Sequence, residues 1–226
     1  MLNFLQISLT NRCNFACWHC PMKQWRNSEA PRWPLCNREL IPFLQRYVKP
    51  SEWVIELTGG EPTLYEGIDE LLDWLSEKGY YTLVKTNGSN HIGKRKNVKV
   101  CSAFHRLEQP PKYFDEYLIV DKIQSDEKVA YCKANGIPYK VIGYNKENPD
   151  NARCGFTLIS FINPAGHNFS CPADVPRQIL RDGEDVGRIN HTDIITKLCC
   201  GHCKAAIDAW RFLPDEIKSR AEPYPD

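Results

Sequence analysis

Short runs in which apolar and polar positions alternate with a period of two recur along the first two thirds of the chain. They cover residues 3–9, 53–57, 81–85, 97–102, 117–120 and 139–143, and each reads as a β-strand. Between them the period lengthens to that of a helix over residues 38–48, 68–78 and 125–135. Leu71, Leu72, Trp74 and Leu75 give the second helix a broad apolar face, and Gly79 and Gly136 stand where the second and third should stop. Strands alternating with helices predict an α/β fold with parallel pairing, because each return to the sheet needs a long connection. Residues 104–113, with Pro110 and Pro111, are too short and too broken for such a helix and are expected to form a loop. The polar, turn-rich residues 145–151 mark an expected division into a domain of residues 1–150 and a smaller one of residues 151–226. In the second part, residues 156–162 and 167–170 flank the turn Asn163-Pro164-Ala165-Gly166 and predict a β-hairpin, followed by a helix over residues 204–212.

The first strand runs into Cys13, Cys17 and Cys20, a C-x3-C-x2-C triplet. Three thiolates on one short loop suit three corners of an iron–sulfur cube and leave one iron without a protein ligand. The same thiolates suit a structural zinc ion if His19 or a distant cysteine completes the set. In parallel barrels reactive groups collect at the C-terminal ends of the strands. The triplet, Gly59-Gly60-Glu61-Pro62, Lys85-Thr86-Asn87, Ser102 to His105 and Tyr144 all fall at such ends.

Residues 10–20 (Thr-Asn-Arg-Cys-Asn-Phe-Ala-Cys-Trp-His-Cys) and the downstream Gly59-Gly60-Glu61-Pro62 together resemble two motifs of the radical S-adenosylmethionine (SAM) superfamily. The first is similar to its cluster loop, the second to the segment that meets the amino group of the SAM methionine moiety. The resemblance implies a partial (β/α)6 barrel related to the TIM barrel. It also implies a 4Fe–4S cluster on Cys13, Cys17 and Cys20, and reductive cleavage of SAM to a 5′-deoxyadenosyl radical that abstracts hydrogen from substrate. An external one-electron donor such as flavodoxin or ferredoxin is implied as well. Gly59 and Gly60 would let backbone approach the ligand, Glu61 would accept from the ammonium, and Pro62 would fix the loop dihedral. His19 stands where the family usually has an aromatic beside the adenine. By strand-end placement Thr86, Asn87 and Ser102 are expected to meet the SAM carboxylate and ribose. His105, Lys85, Tyr144 and Arg153 are the candidates for touching substrate.

Cysteines return in the second part at Cys154, Cys171, Cys199, Cys200 and Cys203. The predicted hairpin carries Cys154 and Cys171 at its outer ends, and Cys200 and Cys203 precede the final helix. The order resembles the twitch domain, a shortened SPASM domain that holds an auxiliary 4Fe–4S cluster. The resemblance implies Cys154, Cys171, Cys200 and Cys203 as its ligands, with Cys199 a rival of Cys200; a zinc ribbon is the structural alternative. Cys36, Cys101 and Cys132 have no partner at ligand spacing and are expected to be buried apolar side chains.

Composition narrows the picture further. The chain has 226 residues, 42% of them hydrophobic and 25% charged, ordinary values for a globular protein. A net charge of +1 gives no field pointing to nucleic acid or membrane. The locally basic residues 93–99 read as a solvated loop and keep a nucleic acid partner open. Eleven cysteines without a signal-peptide pattern or a long apolar span predict a reduced, metal-loaded cytoplasmic protein that does not enter the membrane. The leading expectation is an oxidoreductase that dehydrogenates a small polar molecule, the auxiliary cluster taking one electron. The alternatives are an epimerase or isomerase, a modifier of a peptide or nucleic acid base, and a zinc-stapled binding module without enzymatic activity.

Overall fold

The computed structural model describes residues 1–17, 20, 23, 26–29, 34–120, 124–142, 156, 158–164, 166, 168–169, 197–198 and 204–221. Its frame is β1 (Asn3–Ser8), α1 (Asn37–Tyr47), β2 (Trp53–Thr58), a 3-10 turn (Pro62–Leu64), α2 (Ile68–Glu77) and β3 (Tyr81–Thr86). There follow β4 (Val98–Ala103), β5 (Glu116–Val120), α3 (Ser125–Ala134), β6 (Tyr139–Ile142), β7 (Leu158–Ile162), β8 (Asn168–Phe169) and β9 (Lys197–Leu198). Two further helices, α4 (Lys204–Phe212) and α5 (Asp215–Lys218), complete the described elements.

The strands form one sheet in the order β6-β5-β4-β3-β2-β1-β7-β8, with β9 also on β7. All pairs from β6 to β7 are parallel. The α/β expectation and the open, partial-barrel character hold, and a seventh parallel strand joins the expected six. That strand is the first arm of the predicted hairpin: β7 pairs antiparallel with β8, yet its other edge lies parallel to β1, with Phe4 opposite Ile159 and Gln6 opposite Phe161. The sheet therefore runs on past the division expected at residue 150. Residues 104–113 form a loop, as the prolines predict.

Leu71, Leu72 and Leu75 are fully buried and seat α2 on the outer face of the sheet. Both helix-stopping glycines take the left-handed conformation, Gly79 at φ 81° and Gly136 at φ 63°. The amide beyond each returns to the last turn, Tyr80 N–H to the Leu75 carbonyl and Ile137 N–H to the Cys132 carbonyl, satisfying otherwise orphaned acceptors.

Two apolar layers result. The outer one packs Leu5, Ile7, Ile55 and Val84 against α1 and α2. The inner one packs Phe4, Val54, Leu83 and Leu118 against Ala206, Ile207 and Phe212 of α4. Lys99 and Lys140 reach up from the inner face to the end of α4, donating to the Phe212 and Arg211 carbonyls respectively. Their ammonium groups stand over the Phe212 ring at 5.8 and 5.6 Å. Positive charge at a helix C-terminus is favourable, so these lysines fix α4 across the concave side of the sheet. Cys101 and Cys132 are buried as expected, but Cys36 is exposed, because it stands before the first turn of α1, outside the apolar stripe.

Candidate active site

One cleft opens at the C-terminal ends of β1 to β5, and Cys13, Cys17 and Cys20 line it together. Gly59, Gly60 and Glu61 form a second wall; Lys85, Thr86, Asn87 and His105 also reach it. Pro62 lies beside the cleft, not on its surface, opening the 3-10 turn that Glu61 caps by accepting from Thr63 N–H. Ser102 is buried away from the cleft and donates to the Tyr113 carbonyl at 2.5 Å. Strand alternation is the cause: Cys101 and Ala103 of β4 face the barrel interior, so Ser102 faces outward. His19, Tyr144, Arg153, Cys154, Cys171, Cys200 and Cys203 lie outside the described residues.

The Gly-Gly-Glu segment packs directly against the cysteine loop. Gly59 has φ 135°, and a Cβ there would lie 2.5 Å from the Thr10 carbonyl oxygen. A Cβ on Gly60 would strike the Arg12 peptide, 2.7 Å from its carbonyl carbon and nearer still to its oxygen. Gly60 N–H donates to the Thr10 carbonyl at 2.6 Å and Glu61 N–H to the Arg12 carbonyl at 2.7 Å. The missing side chains thus admit the cysteine loop's own backbone. Glu61, 1% exposed, accepts on Oε1 from Thr63 N–H and from the Thr63 and Thr86 hydroxyls, and on Oε2 from Asn87 N–H. With these donors engaged, Glu61 serves as the internal brace of the rim, and the Thr86 hydroxyl expected to meet SAM is spent on it.

Asn87 ties this brace to the cysteine loop. Its Nδ2 donates to Asn14 Oδ1 at 2.8 Å, while Asn14 Nδ2 donates to the Ser89 hydroxyl at 2.9 Å. On the other side of the loop stands a residue that sequence reasoning missed. Asn27, at φ 58°, accepts from Cys13 N–H at 2.8 Å and donates to the Cys13 carbonyl at 2.9 Å. The sequence signal is slight: asparagine tolerates the left-handed region and bonds backbone readily. An Asn27→Ala variant should lose about 1–2 kcal/mol of local order for two bonds. It is expected to surrender iron to a chelator faster than wild type while its melting temperature moves little.

Burial raises the Cys13 and Cys17 thiols above the ordinary range; Glu61 and Cys20 add to it at Cys13, and Cys13 and Cys20 at Cys17. The three thiols thus compete as negative charges at close quarters, the arrangement that a polycationic cluster relieves. Phe15 N–H points at Cys13 Sγ, 3.4 Å away. Among the described residues, no three His, Cys, Asp or Glu side chains are grouped so as to hold a single metal ion. Three soft donors lining one cleft are a ligand set that suits an iron–sulfur cube.

Lys85 enters the cleft from the barrel interior. Burial opposes its charge, but Glu56 at 2.8 Å and the farther Asp208 outweigh it and raise its pKa above the ordinary value. Lys85 is therefore a fixed cation and hydrogen-bond donor, not a base. Glu56 is fully buried and also accepts from Gln6 Nε2 at 2.5 Å. Lys85→Met should destabilise the fold by about 3–5 kcal/mol by stranding that carboxylate. Adding Glu56→Gln should recover most of the loss in a denaturant titration. His105 meets Phe15 of the cysteine loop edge-on, ring centres 6.1 Å apart.

No protein-family model matches the chain. It is 37% identical over 84 residues to the 7-carboxy-7-deazaguanine synthase of Halobacterium salinarum, covering 36% of this chain and 31% of that protein. It is 34% identical over 100 residues to the mitochondrial GTP 3′,8-cyclase of Arabidopsis thaliana, covering 43% of this chain and 26% of that protein. The chain thus matches about a third or less of the length of these relatives. In fold it is similar to Streptococcus suis SuiB, with a TM-score of 0.54, 14% identity, and coverage of 85% of this chain and 66% of that one. The cysteine triplet and the Gly-Gly-Glu turn, which resemble motifs of the radical SAM superfamily, thus meet at one cleft of a parallel partial barrel.

Proposed function

We propose that this chain is a radical SAM oxidoreductase that dehydrogenates a small polar substrate. The observation that supports this most is the single cleft in which the three thiols, the braced Gly-Gly-Glu turn and the Lys85 cation meet. Bound there, a four-iron cluster and SAM would supply a carbon radical strong enough to take a hydrogen atom from an unactivated C–H bond. Cys13, Cys17 and Cys20 would hold the cluster, and the Asn14–Asn87 and Asn27–Cys13 bonds keep their loop in place. Lys85 would offer a positive donor to a substrate oxygen, and Ala103 and Leu118 add apolar side chains to the cleft lining. Loss of a hydrogen atom from the carbon of an alcohol or amine, and then of its O–H or N–H proton, leaves one further electron. Cys154, Cys171, Cys200 and Cys203 are proposed to hold its acceptor in a twitch-like unit of residues 151–226. A flavodoxin- or ferredoxin-type donor would deliver the initiating electron.

The relatives' names favour one other reading, a ring-forming or isomerising reaction that leaves substrate oxidation state unchanged. Two of the cations in residues 93–99 are engaged internally, Arg95 with Asp69 and Asp73 and Lys99 with Glu116, which weakens a nucleic acid partner. Among the described residues no helix is long and apolar enough to cross a membrane. The test is anaerobic incubation of the reconstituted protein with SAM, dithionite and candidate metabolites. 5′-Deoxyadenosine with a product two hydrogens lighter supports dehydrogenation, a product of unchanged mass supports rearrangement, and no deoxyadenosine under any condition refutes both.

A further inference from the structure

The cysteine cleft contains a cation that neither the cysteine motif nor the Gly-Gly-Glu motif accounts for. Arg26 lines it beside Cys13, Cys17 and Cys20. Its Nη1 is shut off from solvent and has no hydrogen-bond partner. A buried guanidinium nitrogen left unpaired is costly, so its position points to an anionic group that occupies the cleft. The other charges there are already matched. Lys85 is paired with Glu56, and Glu61 is enclosed by its four donors. Among the described residues Arg26 is the one cation on the cleft without a carboxylate partner.

Resting on the reading of Cys13, Cys17 and Cys20 as cluster ligands, we propose that Arg26 is the counter-charge of that cluster and raises its reduction potential. An iron–sulfur cube bearing three thiolates is net negative, and each added electron makes it more so. A positive charge fixed beside it favours the reduced form, since net charge and hydrogen bonding to sulfur are what the protein uses to set the potential. Arg26 acts electrostatically on both Cys13 and Cys17, favouring their thiolates, whereas Arg106, the larger influence at Cys17, acts on that thiol and not on Cys13. A guanidinium suits the task because it remains charged when buried and presents several donors in one plane.

The test is an EPR-monitored redox titration, without SAM, of reconstituted wild type, Arg26→Gln and Arg26→Lys, with iron counted in each. The proposal expects Arg26→Gln to lower the ratio of reduced to oxidised cluster at a fixed potential by about tenfold, about 59 mV for one electron. Arg26→Lys should lie close to wild type. Loss of iron in Arg26→Gln but not in Arg26→Lys also supports a charge requirement. Equal potentials in all three proteins overturn the proposal, as does loss of iron from both variants. A difference that appears only after SAM is added overturns it too, in favour of a contact with the SAM carboxylate. A wild type without a reducible cluster refutes the family reading itself, whereas a normal cluster indifferent to Arg26 refutes only this inference.

Discussion

Replacing Cys13, Cys17 and Cys20 together by alanine is expected to abolish SAM cleavage while leaving the barrel folded. All three thiols are only partly buried, so their loss opens no large cavity. The loop that carries them is held by other residues, through Asn27 on one side and Asn14 with Asn87 on the other. Iron should fall from about eight to about four atoms per chain, because each cube carries four and the proposed second cluster does not use these ligands. Circular dichroism and melting temperature should stay near wild type. Replacing Cys154 and Cys171 instead should spare the first cluster and SAM binding.

Gly60→Ala is expected to be nearly as severe by a different route. The added methyl would drive into the Arg12 peptide, which immediately precedes Cys13. Two hydrogen bonds that join the Gly-Gly-Glu turn to the cysteine loop, Gly60 to Thr10 and Glu61 to Arg12, would have to lengthen or break. Backbone on both sides leaves nothing flexible to yield, and overpacking of this kind costs about 1–3 kcal/mol. The functional loss should exceed the loss of stability, because the displaced atoms are those that set the first cysteine. Iron content, SAM affinity and a denaturant midpoint measured on one preparation would show it. A variant with wild-type iron and SAM affinity would refute the close approach of these two loops.

The parts of this site that were legible in the sequence are those written into short stretches. A cysteine triplet needs only its own spacing to declare a metal, and Gly79 and Gly136 announce helix ends because few other residues accept their backbone angles. Contacts between distant segments were not legible. The pairing of β7 with β1 joins segments far apart in the sequence, Phe4 with Ile159, and nothing local to residues 158–162 separates a barrel strand from a free hairpin. The bracing of Glu61 was not legible either: it depends on Thr63, Thr86 and Asn87 closing around the carboxylate, which only the folded register of β2 and β3 brings about. Ser102 was recoverable from the period of two, since it alternates with the inward-facing Cys101 and Ala103. Asn27 and Arg26 lie on an irregular segment where no period operates.

The central claim is that three protein thiolates hold a cluster whose remaining iron is free for SAM. EPR of the dithionite-reduced protein, recorded before and after saturating SAM, tests it most directly. The account predicts a 4Fe–4S signal whose g-values move when SAM is added and which is absent when Cys13, Cys17 and Cys20 are replaced. A reduced protein in which SAM moves no signal, or a SAM-sensitive signal that survives those replacements unchanged, would contradict it.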